Sequence, residues 1–558
     1  MCAYGTVGAG RAVKIVCVFD ERWAEVPARP VATPWATRRA ARSVLGVVHN
    51  VTSATRLFDV LPLLAADPRV QVVFSCTGSS PFTPGTVEHL TGLGALTVPW
   101  DQAVRTRFDL AVSASHGALE SLDVPLVVLP HGIGYNKYLA RGEGDRLPVF
   151  GLSPEWLVHD GRVIPTSLVL SHTEQLDRLA VGCPPAVARA VVAGDPCFDR
   201  MLVSRPLRAT YRSALGVRRG QKLVVVSSTW GRDSLFDHAA DVVRRLRFDL
   251  PVDEYRVVLA LHPNTWFGHS SWQVRTWLDE CTRAGVVVLP PEEGWRAALV
   301  AADVLVGDHG SVTYYGAALG IPVLLATRAV DAVDPASAVG RFLAVAPHLD
   351  PTRPVGPQID RAATTPETRA AAGLVTSAPG GSAALLRAEL YRLLDLPEPP
   401  GRAEVRTVPT PRVAEVPVVQ HWVRVADDRV TRFPADPSRA TPAGCHLVVG
   451  TDTPRADLLE AADVVVNAEP GDAHVWTAET FDALPGALVA TMPLEPGRWL
   501  VAIRGDEPLV CTGPDRFGPV WASILLDHWT RELPPPSRIT ARLGAEHADA
   551  EVTAFARG

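Results

Sequence analysis

The sequence predicts an α/β protein with two successive parallel-sheet domains of similar size facing each other, followed by a smaller C-terminal α+β domain. Three observations carry this. From Val44 onward, short apolar runs alternate with stretches of helical periodicity, the signature of strands buried on both faces of a parallel sheet. The alternation starts afresh near Leu223, which gives a second series. A Pro-rich stretch then intervenes, and beyond it strand-like and helix-like patterns mix without that regularity.

In the first series Val44-Leu45-Gly46-Val47-Val48 is a strand, residues 55–66 a helix, and Val70-Gln71-Val72-Val73-Phe74 the next strand. Strands follow at Leu96-Thr97-Val98, Leu110-Ala111-Val112 and Leu126-Val127-Val128-Leu129. The second series reads Leu223-Val224-Val225-Val226, Arg256-Val257-Val258-Leu259-Ala260, Val286-Val287-Val288-Leu289, Val304-Leu305-Val306 and Val323-Leu324-Leu325. Helical sequence returns at 366–372 and 381–394. The expected organisation is an N-terminal extension (1–43), a first Rossmann-like domain (44–205), a second Rossmann-like domain (206–395), a Pro-rich linker (396–417) and an accessory α+β domain (418–558). The accessory domain holds strands such as His446-Leu447-Val448-Val449 and Ala462-Asp463-Val464-Val465-Val466 but no assignable motif. Two facing sheets of this kind place ligands in the cleft at the carboxyl ends of the strands.

The chain has 558 residues, 47% of them hydrophobic, and a net charge of −6, which fits two or three domains with ample core. Its scattered, slightly acidic charge gives no support for a nucleic-acid partner. Eight cysteines show no CxxC pair and no metal spacing, and several lie in apolar runs, so they read as buried thiols of a cytoplasmic protein. No apolar run approaches the roughly 18 residues that span a bilayer. The run Ile15-Val16-Cys17-Val18-Phe19 is ended by Asp20 and Glu21 too early for a signal peptide. Gly5-Thr6-Val7-Gly8-Ala9-Gly10 precedes its strand instead of following it, so it reads as a flexible terminus and not a dinucleotide loop.

The chemistry-bearing motifs all sit just after strands. Gly307-Asp308-His309-Gly310-Ser311-Val312-Thr313 links a strand to a helix, and the unpaired N–H groups and dipole of that helix start form an anion site. Gly310 lets backbone approach a phosphate, and Ser311 and Thr313 add hydroxyls. Pro130-His131-Gly132-Ile133-Gly134-Tyr135-Asn136-Lys137 exposes His131 on a tight turn, where an imidazole suits proton abstraction from an alcohol. Lys137 is placed to hold a phosphate. In Ser227-Ser228-Thr229-Trp230-Gly231-Arg232-Asp233 the hydroxyls and the Arg232 fork suit a diphosphate. His262-Pro263 follows the next strand, and Pro263 biases His262 toward extended backbone at the strand tip. Gly194-Asp195-Pro196-Cys197-Phe198-Asp199 reads as a structural turn with Asp199 capping the next helix. No His/Cys metal cluster and no Gly-x-Ser-x-Gly elbow is present.

Taken in order, these motifs resemble the glycosyltransferase-B superfamily (GT-B), and within it the CDP-glycerol glycerophosphotransferases of teichoic-acid synthesis. His131-Gly132 with Lys137 is similar to that family's His-Gly-Thr-Pro-x-Lys, and Gly194 to Asp199 to its Gly-x-Pro-Arg-x-Asp without the Arg. Thr229 to Asp233 is similar to its Thr-Trp/Phe-Arg-Asp with one inserted glycine, His262-Pro263 to its strand-end His, and Asp308 to Val312 to its Asp-Tyr-Ser-Ser-Val. The resemblance covers roughly His131 to Thr327. It implies that His131 and His262 are catalytic, with His131 activating a hydroxyl acceptor. It further implies that Thr229, Arg232, Asp308, His309, Gly310, Ser311, Thr313, Lys137 and His262 hold the donor diphosphate.

The partners it implies are a nucleotide-activated small-molecule donor and a hydroxyl acceptor, with no cofactor and no metal. A lipid-linked acceptor would bring peripheral contact with the inner face of the membrane. The same helix also resembles the UDP-N-acetylglucosamine 2-epimerases. The first family usually carries an acid where this chain has Tyr315, and the epimerases carry Glu where it has Tyr314 and Tyr315, so three readings stand: a glycerol-phosphate or sugar transferase, a UDP-sugar 2-epimerase, and a catalytically silent nucleotide-binding module.

Overall fold

The computed structural model describes residues 24, 38, 40–83, 85–138, 148–238, 240–327, 331–414 and 416–555. The glycine-rich stretch Gly5 to Gly10 and the apolar run Ile15 to Phe19 lie outside the described residues.

The first domain is a parallel sheet of β1 (Arg42–Val48), β2 (Val70–Cys76), β3 (Leu110–Ser113), β4 (Leu126–Val128), β5 (Ser167–Leu170) and β6 (Ala190–Val192) in the order β2-β1-β3-β4-β5-β6. Its strands are apolar throughout because both faces are covered. Val44, Val48 and Leu110 pack on one side, and Leu45, Val47 and Ala111 on the other. The first helix, α1 (Val51–Val60), begins earlier than its periodicity suggests, because Asn50 and Ser53 form a capping box. It stops at Leu61, where Pro62 opens a second short helix. Leu96-Thr97-Val98 makes only a single bridge, Thr97 to Phe74, and is not a full strand.

The second domain repeats the design with β7 (Lys222–Ser228), β8 (Tyr255–Leu261), β9 (Val287–Val288), β10 (Val304–Gly307) and β11 (Val323–Leu325), all parallel, in the order β9-β8-β7-β10-β11. The chain then crosses back. Helix Ser382–Leu393 packs Leu386, Leu390 and Tyr391 against the first domain's core, and the Tyr391 hydroxyl donates to Asp67 at 2.8 Å. Residues 396–414 run along the surface of the pair. Val408 is buried there, its N–H donating to Ser204 Oγ at 2.8 Å and its carbonyl accepting from the Tyr211 hydroxyl at 2.6 Å.

Two facing parallel-sheet domains are therefore present as expected. The accessory domain combines strands and helices as expected, and its strands close into a nine-stranded barrel between Gln420 and Ala554, a closure the sequence pattern did not indicate. Its centre is helix Gly518–Thr530, whose residues 518–526 are apolar at nearly every position and which buries Val520, Trp521, Ile524 and Leu525 among strand residues such as Val464, Val501 and Ile539. The barrel docks on the second domain through Arg432, which grips Asp253 with two contacts of 2.8 Å, and through Arg429 on Glu254 at 2.6 Å. Among the described residues no helix is long and apolar enough to cross a membrane.

Candidate active site

A cleft of about 640 Å³ opens between the carboxyl ends of the two sheets. Its walls hold His131, Gly132 and Lys137 from the first domain, and Thr229, Arg232, His262, His309, Gly310 and Ser311 from the second. No residue of the barrel lines it.

The two histidines are held as opposite tautomers. His131 follows β4, and its Nδ1 lies 3.2 Å from the Ala114 carbonyl oxygen. A carbonyl can only accept, so Nδ1 carries the proton and a neutral ring leaves Nε2 with a bare lone pair. Burial lowers the His131 pKa to about 4, and Arg56, Lys137 and His49 add repulsion, so the ring is neutral at physiological pH. His262 follows β8 and caps helix Pro263–His269, its Nδ1 accepting the Asn264 N–H at 3.1 Å. That bond needs the lone pair on Nδ1, so Nε2 carries the proton and serves as a donor. Burial, with Lys137 and His131 adding to it, pushes the His262 pKa well below the ordinary value. One wall thus offers a base and the other a neutral hydrogen-bond donor.

The anion site takes shape at helix Ser311–Ala318. Its N-cap, Gly310, supplies no side-chain cap, and no acid stands in the first turn, so the leading N–H groups and the dipole are left for a ligand. Gly132 is required here: a Cβ on it would lie 2.6 Å from Ser311 Oγ, and the Ile133 N–H donates to the same oxygen at 3.3 Å. The domains touch at this point. Lys137 places Nζ 3.5 Å from Thr229 Oγ1 and 5.9 Å from the centre of the Trp230 ring, so its ammonium faces the second domain's wall. Burial lowers the Lys137 pKa while Asp308 works against that. His309 is 6% exposed, and burial pushes its pKa to about 3. Arg232 is exposed on the wall.

Two expected ligand-binding residues stand behind the wall. Asp308 is fully buried: Oδ2 accepts the N–H groups of Thr229 at 2.8 Å and Leu235 at 2.9 Å, and Oδ1 accepts that of Gly310 at 2.9 Å. It ties two cleft loops together, and its lone pairs are committed to backbone. Thr313 is also fully buried, its hydroxyl packed where a Cβ on Gly307 would lie 2.2 Å away. A third correction concerns the turn at 194–199. Asp195 caps the following helix through the Phe198 N–H at 3.0 Å, whereas Asp199 accepts the N–H groups of Gly380 and Ser382 at 2.6 and 3.0 Å.

The position of the missing acid is occupied by a network that sequence spacing does not reveal. Tyr315 accepts from Arg56 Nη2 at 2.6 Å and donates to Asp195 Oδ2 at 2.6 Å. Arg56 also donates to Asp195 Oδ1 at 3.0 Å and to the Gly132 carbonyl at 3.1 Å. Beside it, Asp59 takes Arg200 at 2.5 Å and Arg296 at 3.1 Å. Burial alone would raise the Asp59 carboxyl, yet Arg296, Arg56 and Arg200 outweigh it and hold it below the ordinary range. An acid thus stands next to Tyr315 after all, though Asp195 is only 2% exposed. Arg56 and Asp59 come from the first domain, Arg296 and Tyr315 from the second, so the network fastens the domains across the cleft floor. Among the described residues no group of three or more His, Cys, Asp or Glu is placed to hold a metal ion.

No protein-family model matches the sequence, and no curated protein matches it. Solved structures do. A structure of the wall teichoic acid polymerase TagF is 13% identical over 64% of this chain and 89% of its own, with a TM-score of 0.44. Anabaena HepE, in complex with UDP and glucose, is 13% identical over 64% of this chain and all of its own, with a TM-score of 0.35. S. aureus MnaA, in complex with UDP, is 8% identical over 65% of this chain and all of its own, with a TM-score of 0.37. At these values the likeness carries no statement about activity or substrate.

Proposed function

We propose that this chain is an inverting transferase that moves a sugar or glycerol-phosphate unit from a nucleotide-diphosphate donor to a hydroxyl acceptor. The observation that carries the reading is the pair of opposite histidine tautomers on facing walls, beside an uncapped helix N-terminus. His131 Nε2 takes the acceptor's hydroxyl proton as the acceptor oxygen bonds to the transferred group. The bond from that group to the nucleotide's phosphate oxygen breaks, and its electron pair stays on the phosphate. His262 Nε2–H, the start of helix Ser311–Ala318 and the Lys137 ammonium meet the charge that develops there. Thr229, Arg232, His309, Gly310 and Ser311 surround the diphosphate. Asp308 acts through the loops it ties.

The epimerase reading needs carboxylates on this helix. Its two tyrosines are instead committed to structure, Tyr314 donating to the Ala371 carbonyl at 2.7 Å and Tyr315 to Asp195. A panel of CDP-glycerol, CDP-ribitol and UDP-sugars, screened by thermal shift and then for release of CMP or UDP, tests the proposal. Binding of one nucleotide class with slow release is expected. Binding with no release on any acceptor would favour the silent module instead.

A further inference from the structure

On the proposed reading, the first domain's wall is the acceptor side, and its chemistry narrows the acceptor. Next to His131 stands an aromatic corner. Phe150 lies 6.0 Å from the His131 ring and 4.8 Å from Trp156, centre to centre, and both aromatic rings are partly exposed on the cleft. The Trp156 Nε1–H is buried without a partner, and so are both ring nitrogens of His116, which packs 5.3 Å from Phe150. Ser79 and Ser115 add hydroxyls to the same wall.

What is missing from this wall is equally telling. Among the described residues its cations are engaged elsewhere. Arg56 is committed to Asp195, Tyr315 and the Gly132 carbonyl, and the Lys137 ammonium faces Thr229 and Trp230 on the opposite wall. Among the described residues of the first domain's wall, a phosphate-bearing polyol would bring its negative charge to rings and hydroxyls, with Arg56 and Lys137 turned away from it. A neutral saccharide fits better. The weakly polar C–H face of a pyranose packs on aromatic rings such as Phe150 and Trp156, and its rim of hydroxyls suits the Ser79 and Ser115 hydroxyls and the His131 ring that line the same wall.

We infer that the acceptor is a neutral saccharide whose ring lies on Phe150 and Trp156, with one hydroxyl presented to His131. The transfer step is unchanged: the saccharide hydroxyl loses its proton to His131 Nε2 and bonds to the donor's transferred group, and the nucleotide leaves with the electron pair.

The test uses the full chain and two readouts. Saturation-transfer NMR with methyl glycosides as probes, against sn-glycerol 3-phosphate, reads binding without requiring turnover. Transfer to the same compounds, with the donor selected by nucleotide release, reads the reaction. The expected result is saturation transfer to ring C–H protons of a glycoside, an acceptor KM raised about tenfold in Phe150→Leu and in Trp156→Ala, partial recovery in Trp156→Phe, and donor hydrolysis within about twofold of wild type. Use of glycerol 3-phosphate with no response to these variants would overturn the inference. So would the absence of glycoside contact, or loss of donor hydrolysis in parallel with acceptor use in every variant. Glycoside binding without nucleotide release from any donor would overturn the transferase reading and leave the saccharide site standing.

Discussion

Tyr315→Phe isolates what the tyrosine hydroxyl does where an acid was expected. The phenyl ring nearly conserves volume, so it leaves no cavity. What is lost is one hydroxyl that accepts from Arg56 at 2.6 Å and donates to Asp195 at 2.6 Å, between side chains 3% and 2% exposed. A hydrogen bond to a charged group contributes about 1.5–3 kcal/mol, and two sharing one atom do not add fully. Arg56 keeps Asp195 Oδ1 and the Gly132 carbonyl, which softens the loss. The cost is then about 2–4 kcal/mol, which for domains of this size lowers the midpoint by about 4–16 °C. Differential scanning calorimetry, resolving the two-domain transition from that of the barrel, is the assay. The first should move and the second should not. A midpoint within about 1 °C of wild type would refute the reasoning, because it would mean that the hydroxyl is not part of what holds the domains together.

Three further outcomes follow from the same geometry. Asp308→Asn puts an amide among N–H donors and leaves at least one of them unpaired; a loss of about 2–3 kcal/mol, read from the thermal midpoint, should accompany weaker nucleotide binding. Gly132→Ala drives a methyl into Ser311 Oγ and should cost about 1–2 kcal/mol, whereas the double variant with Ser311→Ala should recover most of it. Stability should fall on acidification from pH 6.5 toward 4. His49, His116 and His131 have folded pKa values near 4, 3 and 4, lowered chiefly by burial, so below 6.5 the unfolded chain binds more protons. Each contributes about 2 kcal/mol of loss at pH 5, with little change above pH 7.5; midpoints measured across pH 4.5–8 check this.

Much of the architecture was legible because strands buried on both faces must be apolar without interruption, as at Leu223 to Val226 and Val304 to Val306. The barrel was not, since ring closure pairs strands far apart in sequence, such as Val430 with Leu543. A signal was present even so: residues 518–526 are apolar at nearly every position, and the 538–543 strand alternates buried and exposed. At the site, the position of His131 and His262 on the cleft was legible because strand ends point into it. Asp308 was placed at the right loop with the wrong task, since spacing does not tell whether a carboxylate faces ligand or backbone. The Arg56–Asp195–Tyr315 network was invisible, because its members are separated by 139 and 120 residues and share no local pattern.

The central claim is that His131 is the base, and His131→Ala tests it most directly. Donor binding by calorimetry and nucleotide release with acceptor are measured on the same preparation. The account predicts a donor Kd within about threefold of wild type and a kcat lower by about 10²–10⁴. Turnover at the wild-type rate with donor binding intact would contradict it.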